Sequence, residues 1–221
     1  DMSATIWITV TLFFGTGLLG WLLVSFNPEL ASLFASEKMI EEVQRGELWT
    51  DGILNIVPSS VLSVQIMANN IIVSLFAFAL GALYGLGTIY IISLNGFMIG
   101  GIFAFTAKYD MAGRLFNFVI AHGVVELSVI CLAGAAGIQL GHALVHPGLK
   151  TRGAAFRDAV KQAGTLLPVV VVFLIGAGLI EGYISPDDSY PLSVRVVVGV
   201  AYGILLWTVL SGRIWAWNRK K

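Results

Sequence analysis

Charge is scarce in this chain. Only 12% of its 221 residues are Asp, Glu, Lys or Arg, against roughly 25% in soluble domains. No charged residue occurs between Gly52 and Ala107, a run of 56. With 57% hydrophobic residues, a soluble domain of this size would lack polar surface. Cysteine is almost absent too: Cys131 is alone, so no internal disulfide forms and no redox compartment follows. Net charge is zero and points to no particular partner. The sequence has no Gly-Lys phosphate loop, no Ser/His/Asp set and no nucleic-acid signature, so no cofactor and no nucleic-acid partner are expected. It also has no basic segment of the kind that opens a signal peptide. The abrupt start at Asp1-Met2 leads to the expectation of a cytosolic portion upstream.

What remains is long apolar runs. About 20 apolar residues suffice for one bilayer crossing, and only helices or closed barrels span lipid. The runs do not alternate as barrel strands would. The expected fold is therefore all-α, a single polytopic helical bundle over residues 1–221. About six membrane segments can be drawn: 4–26, 71–94, 97–107, 123–145, 165–183 and 193–216. Asn27-Pro28, Asn95-Gly96 and His146-Pro147-Gly148 read as helix stops. Residues 97–107 are too short for an ordinary crossing, so 97–122 is expected to hold one short or re-entrant segment. Pro58-Ser59-Ser60 reads as a helix start. The uncharged stretch Ile53–Met67 is expected to lie on the outer membrane surface as an interfacial helix, with a shallow re-entrant piece as the alternative.

The charges are segregated. Residues 27–69 hold six acids against Lys38 and Arg45, and 184–192 hold only Asp187 and Asp188. Residues 147–164 hold four bases against Asp158, and the tail holds Arg213, Arg219, Lys220 and Lys221. Basic segments stay cytoplasmic. Both termini are thus expected inside the cytoplasmic membrane, with 27–69 and 184–192 outside. Trp215 and Trp217 read as an interfacial anchor.

The most informative stretch is Ala121-His122-Gly123-Val124-Val125-Glu126. The four-residue spacing puts His122 and Glu126 on one helix face, and no other charge interrupts Leu115–Leu149. A carboxylate there costs ~2.5–3.5 kcal/mol on insertion scales, so it usually faces a bundle interior or a wet cavity. The plain reading is a satisfied polar pair that fixes helix docking; the functional reading is ion, proton or partner recognition. Asn69 and Asn70 are candidate neighbours at the same end, while Asn95 is expected at the other. His142 and His146 repeat the spacing, but ~30 Å of helix separates the pairs. Two ligands each fall short of the three that a zinc site needs, so no metal site is expected. His146 reads as a helix C-cap. Glu181 lies near the outer end of its helix and is cheap to place. Small residues recur at four-residue spacing in Gly81/Gly85, Gly96/Gly100, Gly137/Gly141, Gly178/Gly182 and Gly199/Gly203. Such faces let helices approach closely, within the bundle or across a homodimer, which is expected. A weak repeat aligns Asn69-Asn70…Gly81 with His122-Gly123…Gly134.

Several of these residues together resemble the stage II sporulation protein M family. They are Asn69-Asn70, the run Gly81-Ala82-Leu83-Tyr84-Gly85-Leu86-Gly87-Thr88, Asn95-Gly96 with Gly100, His122-Gly123-Val124-Val125-Glu126-Leu127, and Ala133–Gly141 ending at Pro147-Gly148. The resemblance covers mainly residues 65–150. It implies a polytopic bacterial or archaeal membrane protein with no established catalytic activity. In spore formers the family member anchors peptidoglycan-degrading enzymes in the membrane during engulfment. Other members are often encoded beside a MoxR-type AAA ATPase. The expected function is a non-enzymatic membrane scaffold recruiting envelope-remodelling partners. The alternative is a small transporter or channel for a solute, ion or lipid, with a polar pocket at His122/Glu126.

Overall fold

The computed structural model describes residues 2–51 and 58–218, with side chains described to residue 212. Among these the fold is all helix. Helix α1 (Met2–Phe26) is followed by a 3₁₀ turn (Pro28–Leu33) and the short α2 (Glu37–Gln44). Then come α3 (Ser59–Ala79), α4 (Leu86–Lys108), α5 (Ala112–Val119), α6 (Gly123–Val145), α7 (Arg152–Ala163), α8 (Leu167–Tyr183) and α9 (Leu192–Asn218). Six helical stretches among the described residues are long and apolar enough to cross a membrane. They alternate in direction. One end carries residues 28–51, α5 and 184–191; it is called the acidic end. The other carries the start of α1, 146–164 and the end of α9; it is called the basic end.

Helix α6 is the hub, touching α1, α3, α4, α7, α8 and α9. Its run Cys131-Leu132-Ala133-Gly134-Ala135-Ala136-Gly137 is buried throughout, because small side chains let six neighbours approach one axis. The outer faces stay apolar: Trp7, Phe14 and Leu18 on α1, and Ile204, Leu205 and Trp207 on α9, are exposed. An apolar face without a cover suits a lipid-facing helix and not one in water.

The glycine faces are spent inside the chain. A Cβ on Gly81 would overlap the Gly137 carbonyl, and one on Gly137 would meet the Ala77 carbonyl and Thr88. Thr88 Oγ1 donates to the Ala77 carbonyl at 2.7 Å across the same seam. Gly96 and Gly100 take the backbone of α1 at Phe13 and Gly17. Gly178 and Gly182 take α3 at Ser63, whose hydroxyl donates to the Gly178 carbonyl at 2.8 Å. The α1 hydroxyl of Thr9 donates to the Cys131 carbonyl at 3.1 Å.

Two expected boundaries are corrected. Asn95-Gly96 does not end a helix. Asn95 Nδ2 donates to the Ile91 carbonyl one turn back at 2.8 Å, so its amide needs no turn. Helix α4 runs on for 23 residues, about 35 Å at 1.5 Å per residue, a full crossing. The chain reverses instead at Leu83–Gly85, where Tyr84 and Gly85 both take positive φ (54° and 84°). That turn carries none of the polar residues that usually mark one. The expected segment 71–94 therefore divides between α3 and α4. The short segment shrinks to α5, residues 112–119, with a break at 120–122. Ser59 does open a helix, but that helix is α3 itself. The surface stretch is thereby lost from 59 on, and 53–57 lie outside the described residues. The internal repeat fails with the boundaries: Asn70 is mid-helix, whereas His122 caps one. The ends of α1, α6, α8 and α9 fall within about two residues of expectation. The Trp215 and Trp217 side chains and residues 219–221 are outside the described set.

Candidate functional site

Local sequence explains the break before α6. Met111–Ala121 is apolar except for Arg114 and Asn117, but α5 stops at Val119 and three turn residues follow. Gly123 starts the next helix where a Cβ would strike the Val119 side chain. Gly199 lets α9 close over the Ile120 carbonyl, which a Cβ would overlap. Broken backbone at membrane depth persists only when protein covers it, and α9 is that cover. His122 is the residue at the break. Its φ and ψ (−122° and −31°) are not helical, and it caps α6.

The His122 ring is 3% exposed. Nδ1 lies 2.9 Å from Ser185 Oγ, and the edge of Phe118 packs against the ring, centroids 5.9 Å apart. That leaves Nε2 free. It faces Glu126 Oε2 at 3.8 Å and Glu181 Oε2 at 3.5 Å. The expected convergence of His122 and Glu126 is therefore present, and α8 brings a second carboxylate. Among the described residues these three side chains hold their ligand atoms within 4.8 Å of one another. The two Nε2 distances exceed the 2.7–3.2 Å of a direct hydrogen bond. Glu181 is 9% exposed, and its Oε2 is buried with no hydrogen-bond partner. Two carboxylates this close repel unless a proton or a cation stands between them.

A second layer holds the cluster. The side chain of Asn70, on α3, lies beside Glu126. Asn69 does not join: it is exposed, and its amide reaches Asn70 Oδ1 at 3.4 Å. Arg195, near the start of α9, is 4% exposed. Its guanidinium donates to the carbonyls of Ser185 (2.7 Å), Tyr190 (2.9 Å), Asp187 (2.9 Å) and Asn117 (3.2 Å). One side chain thus ties the α8–α9 loop to α5 and fixes Ser185, which in turn fixes His122. In the same loop the Ser189 amide donates to Asp187 and holds that carboxyl below its usual range. A cavity of about 350 Å³ opens beside Ser185 at the acidic end, lined among others by Asp51, Arg114, Asn117 and Arg195.

The other expected residues lie elsewhere. Asn95 bonds back within α4, and Gly96 and Gly100 serve the α1–α4 contact. Gly137 and Gly141 serve contacts of α6 with α3 and the Tyr84-Gly85 turn. His142 and His146 stack, centroids 5.1 Å apart, at the basic end, where His146 caps α6 as expected.

A family model, that of stage II sporulation protein M, matches residues 9–186. The chain belongs to the stage II sporulation protein M family. No curated protein and no solved structure matches it. The match takes in His122, Glu126, Glu181 and Ser185, and stops short of Arg195. In this stage II sporulation protein M family member, Ser185 and Arg195 are absent from the sequence expectations, and Glu181 is expected only as a cheaply placed carboxylate. Glu181 carried the same signal as Glu126: one carboxylate in an otherwise uncharged run, 162–186. Arg195 carried a weaker one, a lone base three residues into an apolar helix.

Proposed function

We propose that this chain is a non-enzymatic scaffold of the cytoplasmic membrane that recruits envelope-remodelling partners at its outer face. One observation carries the reading: a rigid acidic cap sits on the bundle. The 3₁₀ turn and α2 pack onto α1, α4 and α5 through Val24, Ala31, Val43, Leu48, Phe105 and Leu115, all buried. Arg114 pairs with Asp51 and donates to the Gly46 carbonyl, fastening the cap to α5. Glu29, Glu37, Glu41 and Glu47 remain exposed. A cap held by its own core and bearing an excess of acids over Lys38 and Arg45 is a platform for a basic partner surface. The family's role in envelope remodelling supplies the partner class at the cap, a peptidoglycan hydrolase; a MoxR-type ATPase system would meet the opposite, cytoplasmic end. With its glycine faces used internally, a homodimer would draw on Asn69, exposed in mid-helix where a polar group in lipid favours a partner.

A photo-cross-linker at Glu41, in the membranes of the native host, is expected to trap a peptidoglycan hydrolase. With the cross-linker kept at Glu41, the Glu37→Lys/Glu47→Lys variant should lower the yield several-fold. Equal trapping from Glu41 and from lipid-facing Phe14 would sink the reading. Cation transport is a second reading, favoured by the buried His122, Glu126 and Glu181. Glu126→Gln separates the two: trapping survives in the scaffold, whereas ion flux in proteoliposomes is lost in the transporter.

The outer placement of the cap rests on the charge asymmetry. Ser36 caps α2 and Thr151 caps α7 at opposite ends, and both are exposed. In a Cys131→Ser background, Ser36→Cys is expected to react with an impermeant maleimide in intact cells. Thr151→Cys should react only after lysis. Reaction of both from outside refutes the orientation.

A further inference from the structure

We propose that His122, Glu126 and Glu181 bind a first-row divalent metal ion, with zinc the best fit. The inference is independent of the scaffold reading. Three side chains from two helices and a helix break supply one imidazole nitrogen and two carboxylates. Three protein ligands with a fourth position open is a recurrent zinc arrangement. Ligands about 2.1 Å from a tetrahedral ion lie about 3.4 Å from each other. The separations of His122 Nε2 from Glu181 and Glu126, 3.5 and 3.8 Å, are close to that spacing.

The surroundings point the same way. Glu181 Oε2 is buried without a hydrogen-bond partner and aims into the cluster. Ser185 occupies Nδ1 of His122, which orients the ring and leaves Nε2 for an ion, as partners outside the ligand set do in zinc proteins. Arg195 does not neutralise the carboxylates: its fork is taken by four carbonyls, and it forms no salt bridge with either glutamate. A dication would balance both negative charges in a segment where lone charge is costly. The imidazole argues against magnesium and calcium, which take oxygen ligands. Bound at the cluster, the ion ties the break before α6 to α8.

The test uses the full chain in detergent, stripped by a chelator, and measures zinc by elemental analysis and by competition with a chromophoric chelator. One zinc per chain is expected, undisturbed by excess magnesium. Glu181→Gln should weaken binding at least ten-fold. Ser185→Ala, which removes no ligand, should weaken it by about 10–100-fold. The His142→Ala/His146→Ala variant should bind as the wild type does. If Glu181→Gln fails to elute as a folded species, Glu126→Gln takes its place. Substoichiometric zinc in the wild type overturns the proposal. So does stoichiometric zinc that persists in the folded glutamate variant, or that disappears with His142 and His146.

Discussion

Arg195→Ala is expected to destabilise the acidic end of the bundle by on the order of 3–5 kcal/mol, because several carbonyls lose one shared donor group. Its guanidinium is the common donor for the carbonyls of Asn117, Ser185, Asp187 and Tyr190. Each carbonyl left buried and unpaired costs about 1–3 kcal/mol, less whatever water recovers. The damage should concentrate at the α8–α9 loop, because α9 reaches α5 through this side chain. Arg195→Lys should recover little of it. An ammonium is a point donor and cannot fill a planar fork aimed at separated acceptors. Unfolding in mixed micelles gives the size of the loss, and hydrogen exchange gives its place. Near-wild-type stability for both variants would mean that the four bonds do not anchor the loop.

Gly141→Leu should prevent assembly of the bundle. A Cβ at this position would lie 2.5 Å from Gly85 Cα and 2.6 Å from the Tyr84 carbonyl carbon. Those atoms belong to a turn already committed to positive φ at both residues. A side chain can swing aside, but this backbone cannot move without unmaking the reversal between α3 and α4. The cost should therefore exceed the roughly 1–3 kcal/mol of ordinary overpacking. Gly153→Leu is the matched control, since nothing lies within 4 Å of a Cβ there. A surface change of that kind should stay within about 0.5 kcal/mol. Size exclusion and thermal unfolding read both. A Gly141→Leu chain of wild-type mass and melting temperature would place this face in lipid.

These two positions also mark what could be read from the sequence. The apolar runs fix how many helices there are, because lipid leaves the backbone no other solution. Gly141 was legible as a packing position from its four-residue spacing with Gly137. Its partner was not: Tyr84-Gly85 sits in an apolar stretch, so the reversal is made by backbone conformation alone. Asn95-Gly96 misled for the complementary reason. Asn95 satisfies its amide on its own helix, and Gly96 answers to α1 and not to a turn. At the site, His122 and Glu126 were legible because four-residue spacing is a local property. Glu181 could be seen as a costly carboxylate, but nothing in the sequence says that α8 lies beside the start of α6. Ser185 and Arg195 depend on that same tertiary fact.

His122 stands at a convergence of α6 and α8, held by Ser185 and facing Glu181. The chain has three histidines, so ¹⁵N-histidine solid-state NMR in bilayers reads each imidazole, with His142→Ala/His146→Ala isolating the third. Glu181→Gln is expected to shift the His122 Nε2 resonance, and Ser185→Ala its Nδ1 resonance. Ser128→Ala, on the exposed face of α6, should move neither. His122 signals unchanged by both Glu181→Gln and Ser185→Ala would contradict the claim.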